Sequence, residues 1–182
     1  EAAEVAKVGG STLAQLRTEA DRSATFEVMR RGLRKMVPRL YEVGAFEAVL
    51  SLGGGSGTAM ATAGMRELPL GVPKVMVSSV TSGDIAPYVD ISDLTMMHSV
   101  ADISGLNRIS RKVLANAAGA ICGMLTEGEA AVEDRPLLAA TMFGVTTPCV
   151  TAARRQLEQA GYEVVVFHAT GTGGRTMEAM IR

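Results

Sequence analysis

Apolar positions along this chain recur in two alternating rhythms. Over residues 23–43, Phe26, Met29, Leu33, Met36, Val37 and Leu40 return every three or four positions, the spacing that keeps them on one stripe of an amphipathic helix. That helix is predicted to stop at Gly44, a natural C′ residue, and Pro38 is predicted to kink it or end its regular part early. Upstream, the Ala-rich stretch 1–22 reads as one or two short helices broken at Gly9-Gly10, with Ser11 as N-cap of the second. The rhythm then changes. Glu47-Ala-Val-Leu-Ser-Leu52 is a short apolar run that predicts a buried strand, followed by a glycine loop and a helix to about Leu68. Pro69 and Pro73 bracket a turn, and Lys74-Val-Met-Val-Ser78 is the next strand. A strand–helix–strand unit of this kind favours a parallel sheet with a right-handed crossover.

The alternation continues. Residues 79–88 form a polar loop, Leu94-Thr-Met-Met-His98 is a strand, and residues 107–124 make a long helix whose Ala115, Ala117, Ala118 and Gly119 allow close packing. Residues 126–135 are acidic and contain glycine, the best linker in the chain. Beyond them the pattern restarts with Leu137-Leu-Ala-Ala-Thr-Met142 as a strand. Thr147 and Pro148 supply an N-cap and an N1 proline for a helix ending at Gly161, and Glu163-Val-Val-Val-Phe167 is a further strand. The predicted fold is α/β: a Rossmann-like parallel sheet flanked by helices, with two lobes around a cleft. The first lobe covers 1–128, a linker 129–135, and the start of an incomplete second lobe 136–182. The chain begins at Glu1 rather than Met and stops at Arg182 inside a helix-like pattern of Met177, Met180 and Ile181. It is therefore expected to be an internal piece of a longer polypeptide.

Composition narrows the function classes. Lys+Arg of 18 against Asp+Glu of 19 gives a formal charge of −1, which argues against a nucleic-acid footprint. The basic set Arg30, Arg31, Arg34, Lys35 and Arg39 lies mainly off the apolar stripe, as a solvated face does. Cys122 and Cys149 are far apart and outside ligand spacing, so they read as small core residues in a reducing cytoplasm. No apolar stretch reaches membrane-spanning length, and no signal peptide is evident.

Candidate chemistry sits at strand–helix junctions. Gly53, Gly54, Gly55, Ser56, Gly57 and Thr58 follow a strand and open a helix of small residues. There, backbone N–H groups and the helix dipole favour an anion. The loop fits neither standard phosphate fingerprint, because no lysine follows and Thr58 stands where a third glycine would. Gly171, Thr172, Gly173, Gly174 and Arg175 repeat the logic, with Arg175 as a bidentate phosphate donor. Two such loops point to a phosphorylated small molecule, a nucleotide above all. The polar loop holding Ser79, Thr81, Ser82, Gly83 and Asp84 lies at the C-terminal edge of a strand, where open parallel sheets bind ligands. One of Asp84, Asp90, Asp93 and Asp102 is a candidate to hold Mg²⁺ beside a triphosphate; acids in such loops otherwise form turns or caps. His168, at a strand end, is a weak catalytic candidate, and Thr146 and Thr147 lie near it in this reading.

With these segments placed, the chain resembles the ATP-binding N-terminal domain family of the tomato mosaic virus resistance protein. The resemblance rests on Leu52-Gly-Gly-Gly-Ser-Gly-Thr58, Gly71-Val-Pro-Lys-Val75, Ser82-Gly-Asp84, Pro87-Tyr-Val89 and Val100-Ala-Asp-Ile103. It continues through Gly105-Leu-Asn-Arg-Ile-Ser110, Val113-Leu-Ala-Asn-Ala117, Thr141-Met-Phe-Gly-Val-Thr-Thr-Pro-Cys-Val150 and Val166-Phe-His-Ala-Thr-Gly-Thr-Gly-Gly-Arg175. It implies a two-lobed Rossmann-like domain that binds ATP with Mg²⁺, tends to form a homodimer, and in bacterial relatives is often joined to a TIM-barrel domain. The order of Gly55 and Ser56 is exchanged relative to the commoner family loop. Two alternatives stand beside ATP binding: an enzyme acting on another phosphorylated or carboxylated metabolite, and an interaction module whose surface a nucleotide orders.

Overall fold

Three helices precede the first strand. The structure is a computed structural model that describes residues 1–126 and 134–181; the linker expected at 129–135 falls mostly on residues 127–133, outside the described residues. Helix α1 (Ala2–Val8) is followed by α2 (Leu13–Glu19). The N-cap of α2 is Thr12, one residue later than the sequence predicts. Its hydroxyl accepts from Gln15 N at 3.2 Å while Gln15 Oε1 accepts from Thr12 N at 3.1 Å, a reciprocal capping box that Ser11 is out of register to make.

Helix α3 (Arg22–Glu42) starts on Asp21, whose carboxylate accepts from Ser23 N at 2.8 Å and Ala24 N at 3.1 Å. It continues as helix past Pro38 to Glu42, against the expected early end. Tertiary packing overrides the proline, because α3 is pinned on two sides. A side chain on Gly32 would meet the carbonyl of Val5, and one on Gly9 the carbonyl of Val28, so α1 and α3 touch through their backbones. The predicted stop is present: Gly44 has φ +71°.

Strand β1 (Val49–Gly53) leads into α4 (Gly55–Met65), β2 (Lys74–Ser78), the short α5 (Ala86–Val89), β3 (Thr95–His98) and α6 (Arg108–Thr126). The three strands are parallel in the order β1-β2-β3, with Leu50 opposite Val75 and Val75 opposite Thr95. Every residue of β2 is buried, as a parallel strand covered on both faces requires. Alternation divides the core. Val75 and Val77 pack against Ala117 and Ile121 of α6, whereas Met76 packs with Met65 of α4 and Leu94. Helices α4 and α6 therefore lie on opposite faces of the sheet. A close approach also locks α4 to α3, since a side chain on Gly64 would meet Val37 Cγ2 at 2.9 Å and Leu33 O at 3.3 Å.

The chain divides into two compact units, Glu1–Gly128 and Glu129–Arg182. The second contains β4 (Leu137–Met142), a 3₁₀ turn (Gly144–Thr146), α7 (Thr147–Gln159), β5 (Glu163–His168) and α8 (Gly173–Ile181). The two strands are parallel, with Leu137 opposite Glu163 and Met142 opposite His168. The 3₁₀ turn shifts the start of α7, making Thr146 its N-cap, Thr147 its first residue and Pro148 its second. Each unit is thus Rossmann-like α/β. The cysteines depart from expectation: both are exposed. Cys122 follows the core residue Ile121 on α6, and one helical step carries it off the packed face. Among the described residues, no helix is long and apolar enough to cross a membrane.

At the N-terminal edge of the sheet, the side chain of Lys74 is buried inside a ring of acceptors. Its ammonium donates to Pro69 O at 2.7 Å and Val72 O at 2.9 Å, and pairs with Asp93 Oδ1 at 2.7 Å. Asp93 also accepts from Gly71 N at 2.8 Å. Burial works against the Asp93 charge, but the Lys74 ammonium and the Gly71 N–H outweigh it and hold the carboxyl below its ordinary range. A carboxyl that is more acidic when folded stabilises fully above its unfolded value, and that contribution drains away as pH falls towards the folded one. We predict that Asp93→Asn flattens the stability loss between about pH 5 and pH 3, read by urea melts across that range. Lys74→Met, which strands two buried carbonyls and breaks the pair, should cost about 3 kcal/mol in the same melts at neutral pH.

Candidate functional site

Strand β1 turns into helix α4 at a single residue, Gly54. A side chain on Gly53 would meet Gly57 Cα at 3.0 Å and Thr58 N at 3.3 Å. The strand end and the first helical turn therefore touch backbone to backbone, and only glycine fits. Gly54 is the N-cap and, having no side chain, provides no side-chain cap. Thr58 N donates to Gly54 O at 2.8 Å, which starts the helical ladder. The N–H groups of Gly55, Ser56 and Gly57 then have no acceptor among the described residues. All three residues are exposed, and the space beside Gly57 is open.

The N-terminus of α6 behaves differently. Asn107 Oδ1 accepts from Ile109 N and Ser110 N, both at 2.9 Å, so that helix supplies its own cap. The first turn of α4 does not. A first turn left open in this way favours negative charge beside it.

Thr58 supports the loop from behind. It is buried, its hydroxyl lies 2.6 Å from Ser78 Oγ and 3.3 Å from Gly53 O, and Val80 N donates to Ser78 Oγ at 3.2 Å. One arrangement satisfies all three: Val80 N–H to Ser78, Ser78 O–H to Thr58, and Thr58 O–H to Gly53. Ser79 is half-buried, with its hydroxyl 3.6 Å from where a side chain on Gly54 would begin. Thr81 Oγ1 donates to Ser78 O at 3.0 Å. Ser82, Gly83 and Asp84 are exposed, and Asp84 Oδ1 accepts from Ala86 N at 3.0 Å, opening the turn into α5. The other loop acids are also engaged: Asp90 with Arg66 at 3.6 Å, Asp93 with Lys74, and Asp102 with Ile103 N at 2.8 Å. Among the described residues, no three His, Cys, Asp or Glu side chains gather as a metal site.

One residue here escapes sequence reasoning. Arg22, with Ser23, Phe26 and Ser56, lines a cavity of about 340 Å³, bringing the first turn of α3 to the first turn of α4. Among the described residues Arg22 has no carboxylate partner. Its position on the helix after Asp21 carried no signal of this, because the contact arises from the α3–α4 crossing. A larger cavity of about 420 Å³ runs along the charged face of α3, where Glu27 holds Arg30 at 2.7 Å and Glu67 holds Arg34 at 2.6 Å. That is the solvated face the sequence predicts.

The second glycine loop is built by a related contact. A side chain on Gly173 would meet the carbonyl of His168, so α8 begins hard against the end of β5. Gly171 has φ +72°, and Thr172 O accepts from Thr176 N at 2.9 Å. Gly174 and Arg175 lie in the first turn of α8. His168 turns onto its own loop: Nδ1 lies 2.8 Å from Thr170 Oγ1 and accepts from Thr170 N at 3.3 Å. Thr146 is engaged too, its hydroxyl accepting from Phe143 N at 3.1 Å, while Thr147 is exposed.

A parallel α/β sheet with an open glycine turn at the carboxyl end of its strand defines a Rossmann-like protein. Residues 1–130 match the N-terminal domain of the Uncharacterised protein family (UPF0261), and residues 135–182 match its C-terminal domain. The chain belongs to this family. It is 50% identical over 98% of its length to a UPF0261 protein of Clostridium tetani, of which it covers 45%. It is 50% identical over 88% of its length to a UPF0261 protein of Rhizobium meliloti, covering 39% of that protein. The ToMV resistance protein Tm-1(GCR237) of Solanum lycopersicum is 39% identical over 88% of this chain, which covers 22% of it. The chain thus spans less than half the length of each of these relatives.

The loop geometry separates two neighbouring glycines. Gly53→Ala should lower stability by about 1–3 kcal/mol in urea melts, because backbone would have to move. Gly57→Ala, facing open space, should be neutral or stabilise by about 0.5–1 kcal/mol.

Proposed function

We propose that this chain binds a nucleotide, ATP carried with Mg²⁺, with its phosphates on the bare first turn of α4. The observation that carries the reading is the set of N–H groups at Gly55, Ser56 and Gly57, open to solvent and without acceptors. Arg22 beside Ser56 adds a cation suited to phosphate oxygens. Ser79, Ser82 and Gly83, on the next loop along the same sheet edge, offer further polar contacts. The side chains of Thr58, Thr81 and Asp84 hold loops in shape, so their part is to position the backbone. The Mg²⁺ would arrive on the triphosphate and keep most of its ligands from phosphate and water. The choice of ATP among nucleotides rests on the family resemblance, and the reading uses residues of the first unit alone.

Calorimetric titration of the protein with ATP and Mg²⁺ tests this directly; no heat and no thermal shift at millimolar nucleotide would sink it. Ser56→Asp separates binding from folding. A carboxylate in the first turn of α4 suits the helix dipole and should raise stability by about 0.3–1 kcal/mol, while repelling phosphate and abolishing the ATP heat. Arg22→Ala should weaken ATP by roughly tenfold, about the worth of one charge-assisted contact, with an unchanged melting temperature.

A further inference from the structure

A second concavity opens on the other face of the sheet, one residue from the glycine loop. Leu52, Val77, Ile103, Leu106, Val113 and Leu114 line a slot of about 180 Å³. Leu52 directly precedes Gly53, and the slot's Ser99 donates its N–H to Ser78 O at 3.0 Å, the same serine whose hydroxyl meets Thr58. Slot and loop therefore share the carboxyl edge of β1 and β2.

Topology explains the juxtaposition. The chain steps from β1 to β2 to β3 with α4 on one face, then crosses back over β1 and β2 with α6 on the other. Such a reversal leaves a crevice at the carboxyl ends of the strands, where open α/β sheets take their ligands. The β3–α6 loop forms its outer wall and carries a strained residue: Val100 has φ +65°, an outlier for a β-branched side chain, and is 64% exposed. Two short bonds hold that turn, Ala101 N to Ser99 O at 2.7 Å and Ser99 Oγ to Ala101 O at 2.6 Å.

The slot is nearly all aliphatic. Its two hydroxyls are engaged, Ser99 as above and Ser110 Oγ in accepting from Asn107 N at 2.8 Å. A sugar or a polycarboxylate would leave its own polar groups unpaired in such a place. We infer that the slot takes a flat, weakly polar ring, the base of a phosphorylated ligand whose phosphates lie on α4. This rests on the phosphate reading above and deepens it: the loop alone is indifferent to what carries the phosphate, whereas the slot selects a nucleotide over a phosphosugar. The walls hold the ring by shape and dispersion rather than by reading its edge.

The test compares ATP with inorganic tripolyphosphate, both with Mg²⁺, by calorimetry on the protein and on two variants. ATP should bind at least about tenfold more tightly than tripolyphosphate. Leu106→Asp, at an exposed loop position, should remove that advantage while tripolyphosphate binds as before and the melting temperature holds. Phe26→Ala, on the Arg22 side, should leave the advantage intact. Tripolyphosphate binding as tightly as ATP would overturn the slot and leave the phosphate site standing. So would an advantage lost in Phe26→Ala and kept in Leu106→Asp, which would move the ring to the opposite face. Binding of neither compound overturns both readings.

Discussion

The buried ammonium of Lys74 sets the register on which the first unit depends. It is the last thing a strand interior accommodates, yet here each of its three donors meets an oxygen. Those oxygens come from the turn before β2 and from the approach to β3, so one side chain fixes where two strands begin. A slip of one residue would turn Lys74 out and reverse the faces of Val75, Met76 and Val77. The slip is blocked at the other end as well, where Ser78 must meet Thr58. Between these two polar anchors the strand has no freedom, and the glycine loop inherits its position from them.

Much of this was legible along the chain. Lys74–Ser78 and Leu137–Met142 are found as read, because a short apolar run bounded by prolines or by polar residues leaves few alternatives to a parallel strand. Gly44 ends α3 as a C′ glycine should. Pro38 misleads because its cost is local, whereas α3 is held along its length by α1 and α4. Cys122 misleads because a small apolar residue one step from a core isoleucine is indistinguishable, in sequence, from a core residue.

The site was legible in outline only. The open glycines were visible as glycines, but nothing in the pattern separates Gly53, which must admit a neighbouring backbone, from Gly57, which faces solvent. Thr58, Thr81, Asp84 and Thr146 look like ligand contacts in sequence because hydroxyls and carboxylates serve loops and ligands equally well. Their hydrogen bonds in the fold go to the loops. Arg22 and the aliphatic slot are products of chain crossing. Neither has a local signature, since their members come from segments that meet only after the sheet is assembled.

The backbone contacts among α1, α3 and α4 have a mechanical consequence. Helices that meet through side chains can slide by rotamer adjustment, but the backbone carbonyls of Val28 against Gly9, Val5 against Gly32 and Leu33 against Gly64 leave little to adjust. The three helices form a rigid truss. The root of Arg22 is therefore stationary relative to the first turn of α4, and only the three carbons between Cα and the guanidinium remain to be ordered by a ligand. A swap to larger residues in this truss, far from any phosphate, would be felt as lost affinity before it was felt as an altered pocket.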